Sequence, residues 1–381
     1  MAVPSPYYTE EHHAFRASVR RFVEREIEPH VETWEAAGEL PRELHRKAAA
    51  AGLLGIGYPE EFGGTAPDDP FLRLILAEEV ARAGSGGVHA SLFTHGIAIP
   101  PIVAVGSDEL KRRVLPPVLA GEKIAALAIT EPGGGSDVAN LRTRGRREGE
   151  ELVIDGEKTL ITSGMRADFY SVAVRTGGPG AGGVSLVLIE RERAGFTRSK
   201  LEKMGWWCSD TATLRFEGVR VPMANVIGGE NQGFRAIMLN FNAERFGLAA
   251  LALGFAQLCR DEALAWARQR QTFGKPLIGH QAIRHLLADM TMKVNATRAF
   301  IENLGWRLKH GEQPVSDICL AKNLATEVNE FCADAAVQIF GGMGFMRGTK
   351  VERVYRETKV LTIGGGSREI MKDLAMRQLP T

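Results

Sequence analysis

A glycine-rich turn after a short apolar stretch is the part of the chain best suited to chemistry. Residues 124–129 are apolar, and Thr130-Glu131-Pro132 leads into Gly133 to Gly135, followed by Ser136 and Asp137. Consecutive glycines let backbone N–H groups approach a ligand closely, and hydroxyl groups can bond to ring carbonyls or phosphate oxygens. Most glycine-rich loops are only turns. Because no Gly-Lys-Ser/Thr follows and no GxGxxG opens a helix here, neither a Walker loop nor a dinucleotide fingerprint is predicted.

Several other short motifs accompany this turn, and their order is that of one enzyme family. Thr-Glu-Pro followed by Gly-Gly-Ser-Asp resembles the flavin-binding signature of the acyl-CoA dehydrogenases, and it is far more specific than a glycine-rich turn. The further motifs that resemble the family are Leu160-Ile161-Thr162, Lys203-Met204-Gly205, Ser209-Asp210-Thr211-Ala212, Arg270-Gln271-Thr272-Phe273-Gly274-Lys275 with His280-Gln281, and Gln338-Ile339-Phe340-Gly341-Gly342-Met343-Gly344. They cover essentially the whole chain, so it is identified as a member of that family.

The resemblance implies an FAD-dependent oxidoreductase that acts on a CH–CH bond in fatty acid β-oxidation. Such an enzyme converts an acyl-CoA thioester to the trans-2-enoyl-CoA and passes electrons to an electron-transfer flavoprotein. The chemistry needs a base for the α-proton and donors for the thioester carbonyl as enolate charge develops. It also needs the flavin N5 beside the β-hydrogen, where it accepts hydride.

The resemblance also implies which positions contact the flavin. Some lie around the glycine-rich turn, and others resemble residues that reach the flavin of a neighbouring subunit, which implies a homo-oligomer, with a tetramer favoured. The implied flavin-binding positions are Leu127, Ile129, Thr130, Gly135, Ser136, Leu160, Thr162, Arg270, Thr272, Phe273, His280, Gln281, Gln338, Ile339, Gly341, Gly342, Ser367 and Glu369.

The expected position of the catalytic base is vacant. Much of the family carries a Glu in an Ile-Tyr-Glu-Gly-Thr segment, and the matching residue here is Gly365. The long-chain and isovaleryl branches place the base on a helix of the C-terminal bundle instead, and Glu244-Arg245 stands at the matching place. Glu244 is therefore the predicted base, and the backbone N–H of Gly365 is expected to polarise the thioester carbonyl. The implied substrate contacts are Ser136, Asn242, Arg245 and Gly366.

Simpler interpretations exist for several of these residues. An acidic residue in the first turn of a helix complements the helix dipole, which would explain Glu244 without catalysis. An Arg at a helix start more often forms an internal ion pair than a CoA contact, and Asn242 stands where many relatives have Asp. Leu160 and Leu127 replace residues that are usually aromatic, which puts the surroundings of the flavin ring in doubt.

Composition excludes some functions. Lys and Arg total 47 against 46 Asp and Glu, so the nearly neutral chain has no global attraction to nucleic acid or anionic membrane. The cysteines, Cys208, Cys259, Cys319 and Cys332, form no CxxC pair and no metal-like spacing, and they indicate buried thiols in a reducing compartment. No apolar run is long enough for a membrane span or a signal peptide. A cytoplasmic protein without a bound metal is expected, with a processed organellar form left open.

Hydrophobic periodicity predicts a mainly α-helical chain with a central β domain. Helices are expected over 10–27, 40–51, 70–83 and 89–119, with Thr9 capping the first, and a hairpin that turns at Asp155-Gly156 is expected over 151–158. Helices return at 246–270, 283–308, 318–339 and 367–378, the third capped by Ser316 or Asp317. The predicted division is an N-terminal helical domain (1–123), a middle β-barrel domain (124–228) and a C-terminal four-helix bundle (229–381).

Rival functions on the same scaffold remain open at this point. A flavin-dependent acyl-CoA oxidase or monooxygenase would use O2, and the length of the chain argues weakly against the oxidase. A family member without catalytic activity is possible if Glu244 points away from the substrate. The substrate is poorly determined, and a long or branched acyl chain is favoured only modestly.

Overall fold

A computed structural model of the chain describes residues 5–65 and 68–378, except for the side chains of residues 239 and 240. Eight helices precede the first strand. The first begins at Glu10 and is capped by Thr9, whose hydroxyl accepts from the His12 N–H at 3.4 Å, as predicted. The helices are α1 (Glu10–Phe22), α2 (Val31–Ala37), α3 (Arg42–Ala50), α4 (Pro70–Ala81), α5 (Gly86–Leu92), α6 (His95–Ala98), α7 (Pro100–Val105) and α8 (Asp108–Leu119).

The single helix expected over 89–119 is divided into four. Breaks fall at Phe93-Thr94, at Ile99 and at Gly106-Ser107, and α7 begins with Pro100-Pro101. Proline lacks the N–H that would continue a helix, and it disfavours helical backbone in the residue before it. This explains the break at Ile99, and the prediction of one long helix over 89–119 was wrong.

The middle of the chain forms one eight-stranded sheet. Along the sheet the order is β6-β7-β3-β2-β4-β5-β8, and β1 pairs in parallel with β4. The strands are β1 (Ala125–Ala128), β2 (Arg144–Glu148), β3 (Glu151–Thr162), β4 (Phe169–Arg175), β5 (Val184–Glu190), β6 (Phe196–Lys200), β7 (Thr211–Pro222) and β8 (Val226–Ile227). A core of strand side chains, including Ile154, Tyr170, Val172 and Leu214, lies against one face.

The prediction of a hairpin over 151–158 was wrong. Residues Glu151–Thr162 form one strand, and its turn to β2 lies earlier, at Gly149-Glu150. Asp155-Gly156 instead marks a register shift against β7, where Gly156 has φ 144° and an added Cβ would lie 2.7 Å from the Thr143 Cα. An Asp-Gly pair thus forms a β-bulge here, because no turn is needed at that point.

The C-terminal part is helical, with one small hairpin. Helix α9 begins at Gly233, thirteen residues before the predicted start at 246, and α12 was not predicted at all. Helix α11 begins at Val315 after Pro314 with no side-chain cap, so neither Ser316 nor Asp317 caps it. The elements are α9 (Gly233–Gln269), β9 (Gln271–Thr272), β10 (Lys275–Pro276), α10 (Gln281–Lys309), α11 (Val315–Phe340), α12 (Lys350–Ile363) and α13 (Arg368–Arg377).

The chain divides into two compact units. One comprises residues 1–33, 69–86 and 245–381, and within it α1 packs on α4 and α4 on α10. The other comprises residues 34–68 and 87–244 and contains the sheet. Helices of the N-terminal segment therefore contribute to both units. The three-domain division at 123 and 228 stays a prediction.

Candidate active site

The glycine-rich turn is fixed by a buried ion pair. The Lys158 ammonium on β3 is fully buried, lies 2.7 Å from a Glu131 carboxylate oxygen and also donates to the Ile129 carbonyl at 3.0 Å. The same carboxylate accepts backbone N–H groups from Arg142 at 2.6 Å and Thr143 at 2.8 Å. Glu131 is thus a structural anchor for the start of the loop. This pair was missed in the sequence analysis, where Lys158 was placed at the end of a hairpin.

Burial and pairing shift the pKa values of both Lys158 and Glu131. Burial lowers the pKa of Lys158 to about 8, although the neighbouring Glu131 raises it. Burial raises the pKa of Glu131. The charge and hydrogen bond of Lys158 and the bonds from Thr143 lower it by more, so the net shift of the pKa is downward. The carboxylate is therefore ionised at neutral pH.

The glycines of the turn are not required by the protein's own packing. A Cβ added at Gly133 or Gly134 would meet nothing within 4 Å, and one at Gly135 would meet only the Thr130 methyl at 3.6 Å. None of the three has a positive φ. Ser136 is exposed beside them. The loop thus leaves open space into which its N–H and hydroxyl groups could receive an external ligand.

Leu160 is held out of the sheet. The register between β3 and β7 shifts between Lys158 and Ile161, and Leu160 has φ 59° with 64% of its surface exposed. A left-handed conformation is unfavourable for a bulky residue and concentrates at functional sites. The Thr159 N–H donates to the Thr130 carbonyl at 2.8 Å, which brings this bulge beside the glycine-rich turn.

The sequence-predicted residues near Leu160 belong to the same unit. Leu127, Ile129, Thr130 and Thr162 are half-buried, the first on β1, the next two directly after it and the last at the end of β3. Beyond Thr162, the chain turns back with the Met165 N–H bonded to the Asp210 carboxylate at 2.7 Å. The structure therefore groups one set of the predicted flavin contacts near the ends of two strands, β1 and β3.

The other set of predicted flavin contacts lies in the unit that includes residues 245–381. Strands β9 and β10 form a hairpin whose two turn residues, Phe273 and Gly274, have φ of 49° and 77°. Positive φ at both central residues fits a type I′ turn, which normally carries Asn or Gly rather than Phe. Phe273 is 97% exposed, and the Thr272 hydroxyl lies 3.0 Å from the His280 Nε2. Phe273 is thus an aromatic ring held outward at a conformational cost.

The turn after α11 presents backbone and polar groups. Gln338, Gly341 and Gly342 are exposed, whereas the Ile339 side chain is buried, so only the backbone of Ile339 could reach a ligand. Gly341 has φ 62° and ends the helix, and the Phe340 ring stacks on Trp266 at 4.7 Å. Arg270 and Gln281 are also exposed.

The vacant base position lies in a tightly held loop between α12 and α13. Gly365 and Gly366 have φ of 68° and 112°, and Ser367 caps α13 by accepting the Ile370 N–H at 3.4 Å. The Arg245 Nε donates to the Gly365 carbonyl at 3.2 Å, so its side chain supports this loop. Glu369 lies exposed in the first turn of α13.

Glu244 lies well inside α9. The helix begins at Gly233, so the interpretation of Glu244 as a first-turn residue that complements the dipole was wrong. Glu244 and Asn242 are both half-buried. Glu357 lies on α12, which leads to Gly365. It is buried and accepts the Gly86 N–H at 2.8 Å, so it supports the start of α5.

Comparison with known proteins identifies the family. Models of the acyl-CoA dehydrogenase N-terminal, middle and C-terminal domains match residues 9–122, 126–219 and 231–379. The chain belongs to the acyl-CoA dehydrogenase family. Members of this family are FAD-dependent oxidoreductases.

Individual relatives match along nearly the full chain. The mitochondrial long-chain specific acyl-CoA dehydrogenase of Rattus norvegicus is 36% identical, over 98% of this chain and 87% of the relative. The 3-(aryl)acrylate reductase of Clostridium sporogenes is 35% identical, over 96% and 97%. A solved structure of a probable acyl-CoA dehydrogenase from Mycobacterium abscessus superposes with a TM-score of 0.96 at 50% identity, over 98% of this chain and all of that one.

The acyl-CoA dehydrogenase cofactor fits the residues present. The open glycine turn and the outward Leu160 lie together in one unit, and the exposed Phe273 hairpin lies in the other. Across residues 5–65 and 68–378, no group of three His, Cys, Asp or Glu residues could hold a metal ion. In the same ranges no single helix could cross a membrane, although the bent pair Gly86–Leu92 and His95–Val105, at 54°, meets the length and composition requirement jointly.

A second buried lysine was also missed from the sequence of this acyl-CoA dehydrogenase family member. Lys322 is fully buried on α11 and donates to the Gly366 carbonyl at 2.6 Å. The spacing of Lys322 indicates its burial, because it follows Ile318 by four residues and precedes Ala325 by three, which places all three on one face of the helix. Ile318 and Ala325 are fully buried.

Proposed function

We propose that this protein catalyses FAD-dependent α,β-dehydrogenation of an acyl-CoA thioester to the trans-2-enoyl-CoA. When bound, FAD supplies the acceptor for the hydride that leaves the β-carbon. The carrying observation is that Gly365 offers no side chain, while Arg245, the residue directly after Glu244, donates to the Gly365 carbonyl. This supports the arrangement of the long-chain and isovaleryl branches, in which the base lies on the helix.

In this proposal Glu244 removes the α-proton. Glu244 is half-buried in the interior of α9, and a carboxylate is one of the side chains that can take up a proton as a general base. The backbone N–H groups of the Gly365–Gly366 loop donate to the thioester oxygen and stabilise the enolate charge that develops there. Asn242, Arg245 and Ser136 are the proposed further contacts of the substrate.

The proposed flavin contacts form two groups, one in each unit. Thr130, Ser136 and Thr162 would bond to the ring and its phosphates from the sheet. Arg270, Phe273 and the turn at 338–342 would complete the flavin site of a second copy of the chain, as their exposure suggests. The remaining positions carried over by the resemblance, including Leu127, Ile129, Gly135, Gln281, Ser367 and Glu369, stay proposals with them.

The electron acceptor, the assembly, the acyl chain and the location complete the proposal. Electrons are proposed to leave to an electron-transfer flavoprotein, and a tetramer is the proposed assembly. A long or branched acyl chain is the favoured substrate, and the cytoplasmic location stays a prediction. Light scattering that shows a monomer retaining both FAD and activity would rule out the shared flavin site.

The primary test is anaerobic reduction of the flavin by substrate. The purified protein should be yellow, and acyl-CoAs from butyryl to palmitoyl, with isovaleryl- and citronellyl-CoA, should be screened for loss of oxidised-flavin absorbance. Reoxidation is then compared between electron-transfer flavoprotein and O2, since rapid use of O2 would indicate an oxidase. A protein that stays colourless with added FAD, or that no thioester reduces, would end the proposal.

Glu244→Gln tests the base. It keeps the shape and hydrogen bonding of the side chain but removes the basic oxygen, so FAD content and acyl-CoA binding should survive. Flavin reduction should fall by roughly 10²–10⁴-fold, the usual contribution of general base catalysis. Glu357→Gln is the matched control, because its remaining carbonyl oxygen can still accept the Gly86 N–H. Near wild-type reduction by Glu244→Gln would remove Glu244 from the mechanism.

A further inference from the structure

The loop at Gly364–Gly366 is held by two cationic side chains that donate to its carbonyls, and a polar side chain holds the first residue of α13 just after it. The Arg245 Nε donates to the Gly365 carbonyl at 3.2 Å, and the Lys322 ammonium donates to the Gly366 carbonyl at 2.6 Å. The neighbouring Asn323 amide donates to the Arg368 carbonyl at 3.0 Å. Two of these three tethers carry a formal positive charge, and both charged side chains are buried.

The charges act on their surroundings as well as on the loop. Burial raises the pKa of the Cys319 thiol, one turn before Lys322 on α11, while the charges of Arg245 and Lys322 both lower it. The loop begins where α12 ends at Ile363, and the end of a helix carries a partial negative charge. The loop also leads into the N-terminus of α13, whose partial charge is positive. The charges of Arg245 and Lys322 add to the positive side of this field and so favour a negative charge that develops on a ligand there.

We propose that Lys322, together with Arg245, is a positioning residue that sets the acidity of the bound thioester by fixing and polarising the peptides of the Gly364–Gly366 loop. This rests on the proposed function, because it assumes that the thioester carbonyl binds at this loop. Neither side chain needs to touch the substrate.

Peptide geometry explains how the effect reaches the substrate. The C=O and N–H of a trans peptide point in opposite directions, so a carbonyl held by Lys322 turns the N–H of Ser367 away from it. In the same way, Arg245 on the Gly365 carbonyl orients the N–H of Gly366. A charge-assisted bond to a carbonyl also makes the N–H of that peptide a stronger donor. Arg245 thus acts on a proposed donor, the Gly366 N–H, through the same peptide, whereas Lys322 fixes the peptide that follows Gly366. Donors that are fixed and strengthened in this way favour the enolate over the neutral thioester.

The chain offers a matched set of variants. Lys322→Met removes the charge and the bond, Lys322→Gln keeps a donor without the charge, and Lys322→Arg keeps the charge. Asn323 is the next residue on α11, and its neutral amide donates to the Arg368 carbonyl just after the loop. Asn323→Ala removes this bond without changing the charge, so it controls for loosening of the backbone next to the loop. FAD content and thermal unfolding are measured for each, so that a variant that does not fold is recognised.

Acidity is measured with acetoacetyl-CoA, which loses its C2 proton to form an enolate without transferring hydride. An enolate stacked on oxidised flavin gives a long-wavelength charge-transfer absorbance, and its dependence on pH gives the midpoint of enolisation. A unit charge a few ångströms away should shift that midpoint by roughly one to two pH units. Flavin reduction by a good acyl-CoA should fall in parallel, by roughly 10–100-fold.

The proposal requires a specific order of effects. Lys322→Met and Lys322→Gln should raise the midpoint and slow reduction, Lys322→Arg should restore part of both, and Asn323→Ala should move the midpoint little. If Lys322→Met and Asn323→Ala behave alike, or if the midpoint does not move in the folded Lys322→Gln variant, the proposal is wrong. A wild-type protein that no acyl-CoA reduces would instead overturn the proposed function itself.

Discussion

The two glycine loops of this protein use the same residue for different physical reasons. In the turn at 130–136 the glycines have ordinary backbone conformations, and an added Cβ at Gly133 or Gly134 would meet nothing. In the loop at 364–366, Gly365 and Gly366 have positive φ, and a Cβ at Gly366 would lie 2.4 Å from the Met371 methyl. The first loop needs glycine for something outside the chain, whereas the second needs it for its own backbone.

The tethers of the two loops differ in the same way. The first is held by a balanced ion pair, Lys158 with Glu131, in which the carboxylate also gathers two backbone N–H groups. The second is held by Arg245 and Lys322, which donate to carbonyl oxygens. The first tether thus pairs two opposite charges, while the second bonds two cationic groups to neutral carbonyl oxygens. This contrast matches the proposed roles of the two loops, one in cofactor binding and one in stabilising the enolate.

The largest expected effect comes from breaking the balanced pair. Lys158→Met should lower the free energy of unfolding by about 3–5 kcal/mol, because it leaves the buried Glu131 carboxylate without its cation. Bound FAD should be lost with it. Urea unfolding of the apoprotein and flavin fluorescence measure the two effects separately.

A double-mutant cycle with Glu131→Gln tests whether the pair is the cause. A neutral amide oxygen can still accept one of the N–H groups of Arg142 and Thr143, so the double variant should be more stable than Lys158→Met alone. Equal destabilisation by both would show that Lys158 acts through packing, and the contrast between the two tethers would then fail.

An intermediate effect should separate the glycines themselves. Gly366→Ala should cost about 1–3 kcal/mol, because φ 112° is strained for any residue with a Cβ. Gly134→Ala should change stability by less than about 0.5 kcal/mol. It should instead weaken FAD binding by roughly tenfold, since the methyl group enters the space left for the ligand. Thermal unfolding of the apoproteins and FAD titration decide, and a large loss of apoprotein stability in Gly134→Ala would contradict the comparison.

The position of the first loop was predictable from sequence, whereas the tethers of both loops were not. Thr130 to Asp137 carries a specific local pattern, whereas the conformation of Gly365 and Gly366 depends on Arg245 and Lys322, which are far away in the chain. No local pattern records a contact between residues 44 apart. Tertiary contacts of this kind have to be seen in the structure.

The errors in secondary structure have the same origin. Asp155-Gly156 has the local pattern of a turn, but pairing of the flanking residues with β7 keeps the strand continuous. Helix α12 was missed because its buried face mixes Val351, Val354 and Leu361 with buried Arg353 and Glu357, and this weakens the apolar periodicity. By contrast, the strongly periodic α10 and α11 were predicted, and only their ends differ.

The smallest expected effect is the response of the two loops to acid. Glu131, which holds the first loop, can be protonated, whereas the carbonyl groups through which the second is held cannot. The pairing with Lys158 and Thr143 outweighs burial and holds the pKa of Glu131 below its ordinary 4.5, so the folded state binds this proton less readily than the unfolded state. The stabilisation is therefore complete above about pH 4.5 and is lost as the pH falls through the lower folded value, at no more than about 1.4 kcal/mol per pH unit. The carbonyl acceptors of the second loop do not titrate in this range. Amide hydrogen exchange, corrected for intrinsic rates, should show residues 129–136 opening between pH 5 and acid while residues 364–367 stay protected, and Glu131→Gln should remove the dependence on pH. If both loops open together in the wild type and in Glu131→Gln, the acid response is global and the Glu131 carboxylate is not its origin.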